Sequence, residues 1–252
     1  MKGKLERTLN LILPIATVLT VILAWAIAAK SIDSEYILPS VSKTVEEFLA
    51  LLKSMEFYRS FALTLFRSLI AFIFSFALAF ALATLSVKLK YARKIISPII
   101  SITRALPTIA IVLLLLFWTN SKIAPIIVTM LVVLPTLFTH IETAFLSLDK
   151  TVIEAGRVDG ANEKNVFFKI ELPQMLPAVY TGIGSGISLN FKLMVAAEVI
   201  AQTAHSIGYM LNTSKAYFEI GEMLALVCFS VIFGMLVEWL FNHLSKKASN
   251  WK

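Results

Sequence analysis

Phe61-Ala62-Leu63-Thr64-Leu65-Phe66-Arg67-Ser68-Leu69-Ile70-Ala71-Phe72-Ile73-Phe74-Ser75-Phe76-Ala77-Leu78-Ala79-Phe80-Ala81-Leu82-Ala83-Thr84-Leu85 is a run of 25 residues with a single charge, Arg67. A helix needs about 20 consecutive apolar residues to cross the hydrocarbon of a bilayer. The run is far longer than a barrel strand and does not alternate apolar with polar, so it predicts a spanning helix. Five further runs lie outward from it, at 9–29, 95–118, 123–146, 178–201 and 221–244. The prediction is an all-α polytopic membrane protein with six transmembrane helices, forming one transmembrane domain over 1–252.

Composition agrees. The chain has 252 residues, 58% hydrophobic and 15% charged, with a mean hydropathy of +0.81. Soluble domains are about 45–50% apolar and about 25% charged. A disordered chain, a disulfide-rich module and an ordinary soluble enzyme are excluded on this balance. The lone Cys228 allows no internal disulfide. His140, His205 and His243 are dispersed, so no metal site is expected.

The net charge of +7 is positional and does not point to nucleic acid. With the N-terminus inside, 14 of the 23 Lys and Arg residues fall in inner segments and six in outer ones; Arg67, Arg104 and Lys192 lie within spans. This excess predicts cytoplasmic N- and C-termini. The first run carries Ala-x-Ala triplets at Ala24/Ala26 and Ala26/Ala28. It is longer than the apolar core of a cleaved leader, so a retained helix is expected. Between the first two spans, Val45, Phe48, Leu49 and Leu52 recur at helical spacing, predicting an amphipathic helix on the outer surface.

The inner segment 147–177 is too long for a plain connection, and long loops are usually functional. Thr151 and Glu154 fit a capping box. Gly160 is expected to stop the first short helix in a left-handed conformation. A second helix from Asn162 would present Val166, Phe167 and Phe168, and Leu172-Pro173 and Leu176-Pro177 would break helicity before span five. The residues alone describe a helix–Gly–helix platform, either a structural loop on the inner membrane surface or a docking surface for a soluble partner.

Glu154-Ala155-Gly156, then Gly160, then nine residues to Ile170, Leu172 and Pro173, resembles the E-A-A-x₃-G-x₉-I-x-L-P loop of the membrane subunits of binding-protein-dependent ABC importers. Gly156 stands where that family usually has Ala. Gly costs about 1 kcal/mol of helix stability relative to Ala, so the first helix would be looser while docking is retained. Ile37-Leu38-Pro39-Ser40, Thr64 to Leu69, Arg104-Ala105-Leu106-Pro107, Ala197-Glu198 and Gly208-Tyr209-Met210 are similar to the nitrate/sulfonate/taurine-type subgroup.

The resemblance implies a type I importer-like permease that forms the translocation pathway for a small solute. That solute would be an anion such as nitrate, a sulfonate or taurine, or a vitamin precursor. It implies four kinds of partner: two ABC ATPase subunits, an extracytoplasmic substrate-binding protein, a second permease copy in a homodimer, and the lipid bilayer of a prokaryotic plasma (inner) membrane. Glu154, Ala155, Gly156, Gly160, Ala161, Phe167, Phe168, Ile170, Leu172 and Pro173 would form the ATPase-coupling element. No G-x-x-x-x-G-K-[ST] occurs, so ATP and Mg are expected on the partner ATPase, with no cofactor on this chain and no catalytic residue.

Intramembrane charges are functional candidates by default. Arg67 and Glu198 near outer span ends, and the deeper Lys192, are the pathway candidates. Arg67 and Glu198 could instead pair to fix packing, and Lys192 could snorkel or meet a carbonyl. Arg104 reads as snorkelling, and Glu142 and Glu238 as structurally partnered. Gly182 and Gly186 form a G-x-x-x-G contact, within the chain or between copies. The alternative function is an ATP-independent secondary transporter or channel, which would show two related halves with broken helices. A membrane enzyme would need a nucleophile and base or metal ligands at one depth.

Overall fold

The computed structural model describes residues 2–89 and 91–249, and of residues 2–11 and 14 the backbone alone. Lys90 and Lys252, and the side chains of Lys2, Lys4 and Arg7, all counted among the inner charges, lie outside what is described. The helices are α1 (Lys2–Ile32), α2 (Val41–Leu51), α3 (Met55–Lys88), α4 (Ala92–Ala105), α5 (Thr108–Trp118), α6 (Ala124–Leu146), α7 (Lys150–Val158), α8 (Glu163–Val166), α9 (Leu172–Ala201), α10 (Ile207–Ala216) and α11 (Ile220–Ser249). A wider π-turn over Phe167–Glu171 joins α8 to α9.

Helices α1, α3, α6, α9 and α11 contain windows long and apolar enough to cross a membrane. The expected third span, 95–118, is not one continuous helix. It is the pair α4 and α5, bent by 92°. Pro107 has no N–H to donate and holds Leu106 extended at φ −68° and ψ 129°. The halves, 14 and 11 residues, are about 21 and 16 Å long. Each is shorter than the roughly 30 Å of hydrocarbon.

Two compact units make up the fold. The first comprises Met1–Tyr58 and Met210–Phe229. Trp25 Nε1 donates to the Pro39 carbonyl at 3.1 Å and ties α1 to the turn before α2. Ser40 caps α2 by accepting from Lys43 N–H at 3.2 Å. The buried stripe of α2 is Thr44, half-buried Phe48 and Leu51, with Val45 and Leu49 turned outward. It is rotated by one residue from the sequence expectation, because packing and not the apolar spacing alone selects the buried face. On the flank that meets Gly221, Lys43 pairs with Glu47 at 3.1 Å and with exposed Glu46 at 3.5 Å. The hydrogen bond to Glu47 is the main cause that holds the Lys43 ammonium above its ordinary pKa. Phe57, almost wholly buried, meets Phe229 edge-on at 4.8 Å.

The second unit comprises Arg59–Tyr209 and Ser230–Lys252. Its core joins Phe72, Ala79 and Ala83 of α3 and Ile96 and Ile100 of α4 to Leu137, Phe138, Ile141 and Phe145 of α6, with Met175 and Val179 of α9 beneath. Helices α6 and α9 form its main pair. Close approach is allowed by missing side chains. A Cβ at Gly182 would sit 3.1 Å from His140 Cβ, and one at Gly186 2.7 Å from Leu137 Cδ2. The G-x-x-x-G pair is therefore occupied inside the chain. Asn190 Nδ2 donates to the Ser68 carbonyl at 2.7 Å and Ser68 Oγ at 2.6 Å, and Ser75 Oγ to the Met130 carbonyl at 3.1 Å. These bonds fix α9 and α6 against α3.

Candidate functional site

The segment 147–177 is ordered by its own polar side chains. Asp149 caps α7, its carboxylate accepting from Thr151 N–H at 2.9 Å. The cap is therefore Asp149 and not Thr151, and Glu154 lies inside the helix with its side chain exposed. Asp149 wins because it precedes the first helical residue and its short carboxylate reaches the free N–H groups there. Asp149 N–H in turn donates to Gln174 Oε1 at 3.1 Å, tying the start of the loop to α9.

Gly160 ends α7 at φ +81°. Its N–H donates to the Arg157 carbonyl at 3.1 Å and Ala161 N–H to the Gly156 carbonyl at 3.0 Å. This pair of bonds is a Schellman motif, closing the helix end without Cβ strain. Asn162 then caps α8, accepting from Asn165 N–H at 2.8 Å. Arg157 bridges the two helices, with Nε at 3.0 Å and an Nη at 3.2 Å from the two oxygens of Glu163. The space left by Gly156 is filled by the tip of Ile170, so the departure from Ala is matched by a neighbouring side chain.

Only one of the three apolar residues expected on the surface is there. Val166 is buried, Phe167 is partly buried, and Phe168 is 56% exposed. Phe167 stacks on Phe145 at 6.5 Å, and Lys88 Nζ lies 4.7 Å over its ring. Lys88 also sits 3.2 Å from the Glu171 carboxylate. The prolines at 173 and 177 do not interrupt helicity. The π-turn lets Leu172 N–H reach back to the Phe167 carbonyl, and Pro173 enters α9 in its first turn, where the missing N–H costs least. The platform and the spanning helix are therefore mechanically continuous.

A second constellation lies at the other end of α9. Arg67 Nη1 donates to Glu198 Oε1 at 2.7 Å, and Thr64 Oγ1 to Glu198 Oε2 at 2.8 Å. Arg67 is 8% exposed and Glu198 fully buried. Thr64 Oγ1 accepts from Ile207 N–H at 3.0 Å, and Thr203 Oγ1 donates to the Ser121 carbonyl at 2.6 Å. A Cβ at Gly208 would lie 2.5 Å from Val199 N, so only glycine lets the chain pass this close to α9. Arg67 and Glu198 are thus joined in a clamp that fastens the turn 202–208 to α3 and α9.

Lys192, the third pathway candidate, is exposed and makes no ion pair among the described residues. It shares its face of α9 with Ala178, Thr181, half-exposed Ser185 and Ala196. Beside Ala178 and Thr181, the cleft is lined by Thr139, His140 and Thr143 of α6. Arg104 donates to Thr139 Oγ1 at 2.7 Å instead of reaching away. Glu142 is engaged elsewhere, accepting from Ser86 Oγ at 2.8 Å and pairing with Arg93 at 3.2 Å. Glu238 has no ion-pair partner among the described residues. The polar residues at 139, 140, 143, 181 and 185 were not singled out from sequence, although their three-and-four spacing was the available signal.

Residues 75–250 match the family described as binding-protein-dependent transport system inner membrane component. The chain is 25% identical over 234 residues to the taurine transport system permease protein of Escherichia coli (strain K12), covering 90% of this chain and 84% of that one. It is 26% identical over 208 residues to a putative aliphatic sulfonates transport permease protein of the same organism, covering 81% and 78%. A bacterial ABC transporter involved in import of the acidic polysaccharide alginate has a similar fold, with a TM-score of 0.65 at 17% identity over 97% of this chain and 99% of that one. A methionine ABC transporter in an inward-facing conformation gives a TM-score of 0.65 at 19% identity, over 76% and 95%.

Proposed function

The chain belongs to the inner membrane components of binding-protein-dependent transport systems, and from that premise we propose that segment 147–177 is the element through which a partner ATPase drives it. As a multi-pass permease subunit it contributes the translocation pathway of an ABC importer. The observation that carries the proposal is the unbroken connection from the capped α7–α8 platform through the π-turn into α9. A displacement applied to α7 has no slack joint in which to dissipate. It passes through Arg157–Glu163 and through Ile170 against Gly156 to the π-turn, and through Asp149–Gln174 to the start of α9.

The surface offered to such a partner is Val152, Val158 and Phe168, which are 47%, 86% and 56% exposed. Glu154, Ala155 and Arg157 lie around them. Exposed apolar side chains on an otherwise polar inner segment favour a protein contact. Glu154, Ala155, Gly156, Gly160, Ala161, Phe167, Phe168, Ile170, Leu172 and Pro173 make up the coupling element. Within it Phe167 and Ile170 act from inside as packing, and Phe168 acts from the surface.

Two ATPases, each holding ATP and Mg, would close on nucleotide binding and carry the loops of two permease copies with them. Spans α6 and α9 then tilt, and the pathway switches from inward-open to outward-open. This is a two-state element biased by a ligand on another chain. A binding protein outside delivers the solute, and the charge asymmetry of the loops supports cytoplasmic termini. The relatives named for taurine and sulfonates support a small anionic solute.

The test is reconstitution of the permease with its ATPase and binding protein in vesicles. Gly160→Pro removes the N–H that closes α7 and cannot adopt φ +81°; Glu154→Lys reverses a charge on the docking face. Both are expected to abolish ATP-driven uptake and the stimulation of ATP hydrolysis while the spans remain assembled. Unchanged uptake in both variants, or uphill uptake without any ATPase, would overturn the proposal.

A further inference from the structure

We propose that the exposed face of α9 centred on Lys192 is a cation-lined wall of the translocation pathway that selects a solute bearing a negatively charged oxyanion group. The inference rests on the chain acting as the pathway subunit and adds the residues that set its charge preference.

The face follows from spacing. Ala178, Thr181, Ser185, Leu189, Lys192 and Ala196 recur every three or four residues, which places them on one side of α9. Glu198 is six residues beyond Lys192 and lies on the opposite side, where Arg67 engages it at 2.7 Å. The face is bounded on both flanks. Helix α6 comes against Gly182 and Gly186, and α11 comes against Gly184 and Ser188, where a Cβ on Gly234 would lie 2.8 Å from Ser188 Oγ. We take this strip, with α6 and α11 on either side, as a groove whose floor is α9.

The groove is chemically unlike the surfaces that meet lipid. Helix α3 exposes Phe66, Ile73 and Phe74, and α11 exposes Met235, Leu236 and Trp239. Among the described residues, α9 exposes no large hydrophobic side chain. Its exposed positions are Ala178, Thr181, Lys192 and Ala196, with Ser185 and Leu189 partly exposed between them. Lys192 lies nine residues, roughly 13 Å of helix, from the outer end at Ala201. That is near the middle of a hydrocarbon layer of about 30 Å, too deep to face lipid without a partner. On this reading the ammonium turns toward water or cargo rather than along the lipid.

The second observation is an unsatisfied donor beside it. Ser188, one turn before Lys192, is fully buried and its Oγ has no hydrogen-bond partner. Lys192 Cε would be 3.3 Å from a Cβ on Gly234, so the lysine arm and this hydroxyl share the space that the glycine leaves. An ammonium and a free hydroxyl together suit an oxyanion, which accepts from both. Arg104 adds a second cation at the inner end of the groove, held by neutral acceptors only. Among the described residues Glu238, half-buried on α11, is the carboxylate along the seam, and the cations Lys192 and Arg104 outnumber it.

Thiol-reagent selectivity on the assembled transporter in vesicles tests the wall. The single native cysteine is first removed as Cys228→Ser. Ser185→Cys and Ala196→Cys then bracket Lys192 along the groove, with Phe74→Cys on the lipid surface as the control. Each is treated with the anionic sulfonatoethyl and the cationic trimethylammonioethyl methanethiosulfonate. The rate ratio is divided by that of a free thiol in solution. Both groove positions should favour the anionic reagent by about tenfold, Lys192→Gln should cut that preference at least threefold, and Lys192→Arg should keep it. Phe74→Cys should react with neither.

Groove thiols that react with neither reagent would mean that lipid or a second copy seals this face, which overturns the wall. A ratio at or below one, or a ratio untouched by Lys192→Gln, overturns the charge selection. Labelling needs no turnover. A failure of the ATPase-driven reading, seen as uptake without the ATPase, is therefore read separately from these ratios.

Discussion

Two arginine–carboxylate pairs, one inside the α7–α8 platform that leads into α9 and one at the far end of α9, differ in how far they are removed from water. Arg157–Glu163, at the platform, has side chains 49% and 71% exposed. Arg67–Glu198, at the clamp, has side chains 10% and 0% exposed. The first pair sits in water, where an ion pair contributes little net stability and hydrogen-bonded caps do most of the ordering. The second has been taken out of water, so each charge depends on its partner to be tolerable at all. The platform is thus held by local bonds, and the clamp by long-range ones.

The sharpest way to break this contrast is to remove one member of the buried pair. Arg67→Met should cost about 3–5 kcal/mol, measured as detergent-induced unfolding, and Arg67→Met with Glu198→Leu should recover much of that loss. A single variant as stable as the parent would show that the clamp does not anchor α9. The next effect in size tests the close approach beside the clamp. Gly208→Ala places a Cβ against backbone that cannot yield, and should cost about 1–3 kcal/mol.

Inner-end substitutions should be milder in stability and stronger in coupling. Gly160→Ala forces a Cβ into a left-handed residue and should cost about 1 kcal/mol. Asp149→Ala removes the α7 cap and should cost a similar amount, roughly 1 kcal/mol. For both, hydrogen exchange of the 150–171 amides should quicken while exchange in α3 and α6 stays unchanged. Smallest of all is Arg157→Gln, expected at under about 1 kcal/mol and vanishing in high salt. A loss there as large as that of Arg67→Met would erase the distinction between the two ends.

Much of the inner end was legible from the residues. The stop at Gly160 and the start of a second helix near Asn162 depend on chemistry within a few positions, and both are present. The errors there were local competitions. Asp149 displaced Thr151 as the cap, and the π-turn absorbed prolines that would otherwise have ended a helix. The bend at Pro107 went unread because an apolar stretch with one proline looks like a span whether the helix kinks by a little or by 92°. For Arg67 and Glu198, 131 residues apart, the residues offered both an ion pair and separate pathway charges, and long-range packing was needed to choose between them.

The sequence by itself determined that this is an α-helical membrane protein, which way its charges bias it, and where its inner platform turns. These properties depend on segment length, residue count and local backbone chemistry. Only the tertiary structure decided that Arg67 and Glu198 consume each other, that Phe167 packs inward while Phe168 does not, and that Lys192 is exposed with no ion pair among the described residues. Those outcomes depend on which helix faces meet. Helical spacing says what shares a face, but only packing says what that face is turned toward.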